Sequence, residues 1–364
     1  MKHFETLGGP IPSWERRLTI ILLSVVLCAA GCSTTPRPGT IAARHGDEIM
    51  VAGQLVHTGA RVVLWTEPGG YDAYRVERRF SPIEESDWEK SKSEVKDLSS
   101  PNRYDLRRAG LTEAEIERVR GGGWDLSTLQ KVVDQFVIHF DVCGTSRQCF
   151  KVLQDARGLS VHFMLDLDGT IYQTLDLKER AWHATTSNSR SVGIEMANMG
   201  AYRVGEENLL SKWYARDETG QTRITIPPAY GDGGIRTANF VGHPARPELV
   251  TGPVQGHELE QYDFTPQQYQ ALIHLTAALC KVLPRIRCDY PKDVAGKLIS
   301  QKLPEEELKA FSGVLGHYHI QTNKVDPGPA FQWDFVIGNA RRLLHQGMSE
   351  AADATSKGHM RPKF

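Results

Sequence analysis

The 364-residue chain carries 43 Lys and Arg against 44 Asp and Glu, a formal net charge of -1, so nothing in its electrostatics argues for nucleic acid, whose binding rests on clustered basic residues. Its 40% hydrophobic content is ordinary for a soluble globular protein, and its length suits one large domain or two small ones. No His-Glu-x-x-His helix occurs, which leaves zinc peptidases of that class without support.

At the start of the chain Lys2, Arg16 and Arg17 precede an apolar run at 18–30, too short to cross a bilayer as a helix but right for the core of a secretory signal. The run ends in Ala29-Ala30-Gly31-Cys32-Ser33, which resembles a bacterial lipobox, with Ala29 where Leu is more usual. That resemblance implies a signal peptide over 1–31 and lipidation at Cys32. It also implies a lipid-anchored protein of the cell envelope, on the periplasmic side of a membrane, the outer membrane being expected. Ordinary signal cleavage with a free Cys32 is the alternative. Residues 32–46, polar and Pro-containing, read as a tether.

Two β-rich runs, Ile49-Met50-Val51-Ala52 and Val62-Val63-Leu64-Trp65, flank His57-Thr58-Gly59 and read as a hairpin, the core of a small N-terminal β element and linker over 47–128. His57 beside a turn glycine reads as a solvated turn residue. Thr112 with Glu115 has capping-box spacing for a short helix that Gly121-Gly122-Gly123 ends.

Phe136-Val137-Ile138-His139-Phe140 reads as a buried strand that delivers an imidazole at its tip. Thr145 and Gln148 predict a helix through about Arg157, and a hairpin over 161–175 turns at Asp168-Gly169. Residues 191–197 form another strand. The Gly- and Pro-rich segment 200–263 shows one strand, Arg223-Ile224-Thr225-Ile226, and so long a loop in a compact domain is expected to line the site's groove or pack on the N-terminal element.

Thr265-Pro266-Gln267-Gln268 caps a helix with an apolar stripe through Leu272, Ile273, Ala277, Leu279, Cys280 and Leu283. A last helix is expected over about 331–345, followed by a disordered tail over 346–364. The fold class that follows is α/β, a mixed central β-sheet flanked by helices, with the site at one edge.

The chemistry concentrates between Gly313 and Phe331, where His317, His319, Lys324 and Asp326 lie among apolar and Pro/Gly-locked segments. An extended Lys324-Val325-Asp326 would point Lys324 and Asp326 to one face and Val325 to the other. Zinc accepts imidazole nitrogen and carboxylate oxygen, and a catalytic site keeps one position for water. His317 and Asp326 supply two ligands, and His139 is the best third.

Five blocks then occur in order. They are Val137-Ile138-His139; Ser160-Val161-His162-Phe163-Met164-Leu165 with Asp168-Gly169-Thr170; Ala181-Trp182-His183-Ala184; Ser191-Val192-Gly193-Ile194-Glu195; and Gly316-His317 with Lys324-Val325-Asp326-Pro327-Gly328-Pro329. Together they resemble the zinc N-acetylmuramoyl-L-alanine amidases of the peptidoglycan-recognition-protein superfamily, over a domain at 129–345 with an insertion at about 200–263. The resemblance implies zinc on His139, His317 and Asp326, Glu195 as proton carrier, Lys324 as oxyanion stabiliser, and peptidoglycan or a muropeptide as substrate. The spacing from His317 to Lys324 differs from the family's by about one residue, which makes His319 the rival ligand.

Glu195 also stands out by itself, since a carboxylate in mid-strand among apolar residues is costly without a partner. Trp182 and His183 are expected to contact substrate or orient the site, and His162 to be a core or supporting histidine. Cys143, Cys149, Cys280 and Cys288, an even number, suit an oxidising compartment. The resemblance implies a bridge from Cys143 to Cys149, with Cys280 and Cys288 as the other pair; four reduced thiols are the alternative. A catalytically inactive peptidoglycan-binding lipoprotein of the same fold is the competing function, and the filled ligand and base positions favour hydrolysis over it.

Overall fold

The computed structural model describes residues 43–94 and 100–358. The expected signal peptide, Cys32 and the tether up to residue 42 lie outside the described residues, as do 95–99 and 359–364. Among the described residues no helix is long and apolar enough to cross a membrane.

β1 (Glu48–Val51) folds back on β2 (Gln54–His57) through Ala52 and Gly53, at φ 48° and 77°, the left-handed pair that suits a two-residue hairpin turn. The expected partner of β1 is instead β3 (Val62–Leu64), which joins the central sheet parallel to Ile171–Gln173. The reason is burial: β2 is largely exposed and lacks an apolar face, whereas Val62, Val63 and Leu64 are all buried and must be covered on both sides. The first hairpin is stitched to the sheet by side chains. Gln173 bonds the backbone of Met50 in both directions, and the Asp176 carboxylate accepts from the amides of Ala52 and Gly53.

β4 (Tyr104–Leu106) leads to α1 (Glu113–Arg120), which has the predicted capping box of Thr112 and Glu115 and stops at Gly121. After α2 (Leu126–Val132) come β5 (Gln135–Phe140) and α3 (Ser146–Phe150), which continues as a π-helical stretch over Lys151–Arg157 until Gly158 takes a left-handed conformation. β6 (Phe163–Leu165) and β7 (Ile171–Gln173) form the predicted hairpin; β8 (Glu179–Ala181) pairs with β4, and β9 (Ser191–Met196) follows.

The insertion holds far more structure than expected. β10 (Tyr202–Arg203), β11 (Tyr214–Arg216), β12 (Thr222–Ile224), β13 (Val250–Val254) and β14 (His257–Gln261) make one three-stranded and one two-stranded sheet. Its Leu210, Trp213, Tyr214 and Ile224 form a second small core together with Leu167, Ala197 and Met199 of the main domain. α4 (Pro266–Val282) begins at the predicted Thr265/Gln268 box. α5 (Glu305–Ala310) and β15 (Gly313–Gly316) precede α6 (Trp333–Gly358). The expected disordered tail is thus helical as far as Gly358; 346–358 contains no proline and three alanines, and nothing in it stops the helix.

The central sheet runs β15-β5-β9-β6-β7-β3, with β15, β5, β9 and β6 parallel and β7 antiparallel to β6, a mixed sheet as predicted. The two-residue strand period sorts its side chains. Phe136, Ile138 and Phe140 of β5, with Val192, Ile194 and Met196 of β9, enter the main core with α4 and α6. Gln135, Val137 and His139, with Gly193 and Glu195, therefore face the other way. Here α3 and the loops after β8 and β15 lie, and here the site is built.

Candidate active site

His139 and Glu195 are register partners on adjacent parallel strands, so the backbone ladder alone puts an imidazole and a carboxyl side by side on one face. The remaining groups arrive on the loop after β15. His139 Nδ1 lies 2.8 Å from Asp326 Oδ2 and 3.0 Å from His317 Nδ1, and His317 Nδ1 lies 3.1 Å from the same Asp326 oxygen. All three residues are buried, and their ligand atoms converge on one point.

The hydrogen bonds behind this triangle decide what it needs. His317 Nε2 lies 2.7 Å from the amide oxygen of Gln321, which only accepts, so Nε2 donates and Nδ1 is the nitrogen turned to the triangle. That Nδ1 faces a carboxylate oxygen and a second imidazole nitrogen within 3.1 Å. Such a cluster of donors calls for a positive centre. Bonds of about 2 Å to a tetrahedral metal would set the donors roughly 3.3 Å apart, close to what is seen, so the residues fit zinc.

His139 Nε2 contacts His183 Nδ1 at 3.0 Å, and His183 Nε2 lies 3.3 Å from Ser191 Oγ. With metal on His139 Nδ1, the Nε2 proton would point to His183, which would donate in turn to Ser191. His183 is thus an orienting group. Gly193 makes room for it: a Cβ there would lie 2.4 Å from His183 Nδ1.

Burial sets the protonation states. It presses His139 down to about 4, helped by His317 and opposed by Asp326. Burial alone would raise Asp326, but His317 and His139 override it and hold the carboxyl well below its usual range. Glu195 is pushed well above the ordinary carboxyl value, first by desolvation and then by Asp326 and Asp141, with Lys324 opposing. Its Oε2 is sealed from water without a hydrogen-bond partner.

A cavity of about 150 Å³ opens on these groups, lined by His139, Glu195, His317, Lys324 and Asp326 with Trp182 and His183. Lys324-Val325-Asp326 is not a strand, yet its alternation is as expected: Lys324 and Asp326 line the cavity while Val325 packs on the core.

The rival ligand His319 is used up elsewhere. Its Nδ1 accepts from the amide of Gly316 and its Nε2 donates to the carbonyl of Ile299, and burial pushes it down to about 3. His162 is likewise internal, accepting from Gly193 N and touching the fully buried Arg107, whose guanidinium also bonds the carbonyls of Leu177, Asn188, Ser189 and Ser191. His243 Nδ1 lies 2.9 Å from the carbonyl of Thr222, and His257 is exposed beside Arg203; neither joins the cluster.

Cys143, Cys149, Cys280 and Cys288 are all free thiols, Cys149 and Cys280 buried and the other two half-buried. Among the described residues another group that could hold an ion is Asp47, Glu48 and His57, at the exposed first hairpin.

Sequence reasoning missed Gln321, Asp141 and Ser191. Asp141 lines the cavity, and its Oδ1 accepts from the amides of Cys143, Gly144 and Asn198. The Asp-Val-Cys-Gly run is a turn signature that could have flagged it; nothing marks Gln321 beyond its place four residues after His317.

The sequence profile of the N-acetylmuramoyl-L-alanine amidase family, Amidase_2, matches residues 129–329, more than half of the chain, and the chain belongs to this family. It is an enzyme, a hydrolase of the N-acetylmuramoyl-L-alanine amide of peptidoglycan. A search of curated proteins finds no match.

Among solved structures, the crystal structure of a Se-Met AmpD derivative is similar at 17% identity, covering 68% of this chain and 94% of that one, with a TM-score of 0.30. The amidase AmiD from E. coli, in complex with the substrate anhydro-N-acetylmuramic acid-L-Ala-D-gamma-Glu-L-Lys, is similar at 19%, covering 57% of each chain, with a TM-score of 0.30. The endolysin amidase LysCS from Clostridium intestinale URNW follows at 15%, covering 58% and 86%, with a TM-score of 0.28.

Proposed function

We propose that the protein is a zinc-dependent N-acetylmuramoyl-L-alanine amidase acting on peptidoglycan or muropeptides, with zinc held by His139, His317 and Asp326. The observation that carries this reading is the convergence of two imidazole nitrogens and a carboxylate oxygen within 3.1 Å, with the other nitrogen of His317 held by the amide oxygen of Gln321. Zinc, when bound, supplies Lewis acidity, polarising the scissile carbonyl and acidifying a water.

The chain's own groups do the rest. Glu195, raised by burial, is a stronger base than an exposed carboxylate, and it takes the proton of the attacking water. It then delivers that proton to the alanine nitrogen as the C–N bond breaks and the new C–O bond remains. Lys324 meets the negative charge that develops on the carbonyl oxygen. His183 and Gln321 hold the two imidazoles in the tautomer that presents Nδ1. Trp182 supplies an aromatic wall for substrate.

We also propose that the mature chain begins at a lipidated Cys32, anchoring the enzyme on the periplasmic side of a membrane. Both cysteine pairs are bridged in that compartment, a reading supported by the even number of cysteines and the short spacing within each pair.

The test incubates the zinc-loaded enzyme with defined muropeptides and intact sacculi and reads products by mass. Release of free stem peptide beginning at L-alanine is expected. Cleavage at another bond, or none with stoichiometric zinc bound, would overturn the reading.

A further inference from the structure

The loop that carries His317, Lys324 and Asp326 forms no strand; beyond one helical turn at His317–His319 its own backbone bonds are few, among them Gln321 N to His317 O at 3.1 Å, Lys324 N to Gln321 O at 3.3 Å and Tyr318 N to Asp326 O at 3.2 Å. Several of its carbonyls are held in addition by a side chain from the insertion. Gln255 Nε2 donates to the carbonyls of Tyr318 at 2.8 Å and Gln321 at 2.9 Å, with Lys324 O at 3.3 Å, while its Oε1 accepts from the amide of Lys302 at 3.2 Å. One amide group thereby ties together the start, middle and end of the segment 318–324.

Gln255 is a costly choice for its own position. It sits with Gly256 at the tip of the β13–β14 hairpin, at φ 54° and 74°, where Gly, Asn or Asp is the usual first residue. A side chain kept in a left-handed conformation points to a demand from outside the turn.

At the far end of β14 a second glutamine repeats the contact. Gln261, fully buried, donates to Pro327 O at 3.1 Å and accepts from Ala330 N at 3.0 Å. A Cβ on Gly328 would lie 2.2 Å from Gln261 Oε1, so the loop approaches this amide as closely as glycine permits. The two contacts fall on either side of Asp326.

We infer that the β13–β14 hairpin is a brace for the ligand loop, and that Gln255 is a positioning residue acting on Lys324 through its carbonyl and on His317 through Gln321. The inference rests on the roles proposed above for those residues. It gives the insertion a task distinct from lining a groove: it holds the loop-borne half of the donor set at the spacing the strand-borne half requires.

The test is Gln255→Gly, which removes the amide but suits the turn better than glutamine does, so melting temperature should hold or rise. Zinc competition by a chromophoric chelator should shift about tenfold toward release, and kcat should fall about tenfold with KM little changed. Hydrogen exchange of the 317–326 amides should quicken while β5 and β9 stay protected. Gln255→Glu, which keeps the acceptor but loses the donors, should be no better, and the neighbouring exposed His257→Ala should behave as the parent.

Native zinc retention, exchange and kcat in Gln255→Gly would overturn the brace. A parent without amidase activity would instead fail the functional reading, and zinc competition and exchange would still decide the brace.

Discussion

The two halves of the site are held by different physics. His139 and Glu195 stand on adjacent strands in the middle of a six-stranded sheet, where register and the two-residue period fix their direction. His317, Lys324 and Asp326 stand on a loop fixed by individual side chains from distant segments, Gln255 and Gln261 among them. Strands make the first half insensitive to any one contact. The second half depends on a few amides, so metal affinity and turnover should be most easily lost there.

The largest effect should come from the loop half. Asp326→Ala removes the oxygen that both imidazoles face, and activity should fall to background with zinc content lost. In the parent, chelation should lower thermal stability, since a ligand at about a thousand times its dissociation constant adds roughly 4 kcal/mol. In Asp326→Ala the same chelator should change nothing. Elemental analysis and melting curves with and without chelator check both; a variant that keeps stoichiometric zinc would take Asp326 out of the ligand set.

Next comes the strand half. Glu195→Gln keeps shape but cannot accept a proton, so turnover should drop on the order of 100-fold or more with zinc retained. It should also be well tolerated structurally, because burial disfavours the charged form it removes. Loss of zinc in this variant would move Glu195 from proton carrier to ligand.

A smaller effect should follow where the halves meet. Gly193→Ala places a methyl 2.4 Å from His183 Nδ1, so the ring must move and release His139 Nε2. Overpacking of this kind costs about 1–3 kcal/mol, and losing the outer partner of a ligand histidine about tenfold in metal affinity or turnover. A shift in zinc competition without a change in sheet protection would show that His183, rather than the strand, is what moved.

This division also explains what could be read in advance. The apolar runs 136–140 and 191–196 made His139 legible at the tip of a buried strand and Glu195 as a costly carboxylate in another, and the Thr265/Gln268 box placed α4; that the two share a face came only with the register. Lys324 and Asp326 were legible as neighbours on one side, although no strand forms there. Gln255, Gln261, Gln321 and Arg107 were not, because each acts through individual side-chain hydrogen bonds, most of them to distant segments, that leave no periodic trace. The hairpin that carries Gln255 hid for a related reason: β13 contains Gly252 and Pro253, and β14 has three exposed or half-buried polar residues, so neither resembles a core strand.

The smallest effect on turnover should come from the cysteines, which stand outside the donor set. Cys143 and Cys149 follow β5 directly, one on the turn after it and the other on α3, and both line the cavity; Cys280 lies near the end of α4 and Cys288 on the segment leading toward β15. Each pair closes a short loop, so a bridge should stabilise by roughly 2–3 kcal/mol on the chain-entropy account. None of the four sulfurs belongs to the donor triangle, so reducing the bridges should lower the melting temperature while kcat stays within about twofold; the β5–β9 register that positions Glu195 does not depend on them. Alkylation of denatured, unreduced protein taken from the oxidising compartment, read by mass, gives the count of free thiols. Four modified cysteines would show that the pairs remain reduced, and a large fall in kcat on reduction would show that the strand half leans on a covalent staple after all.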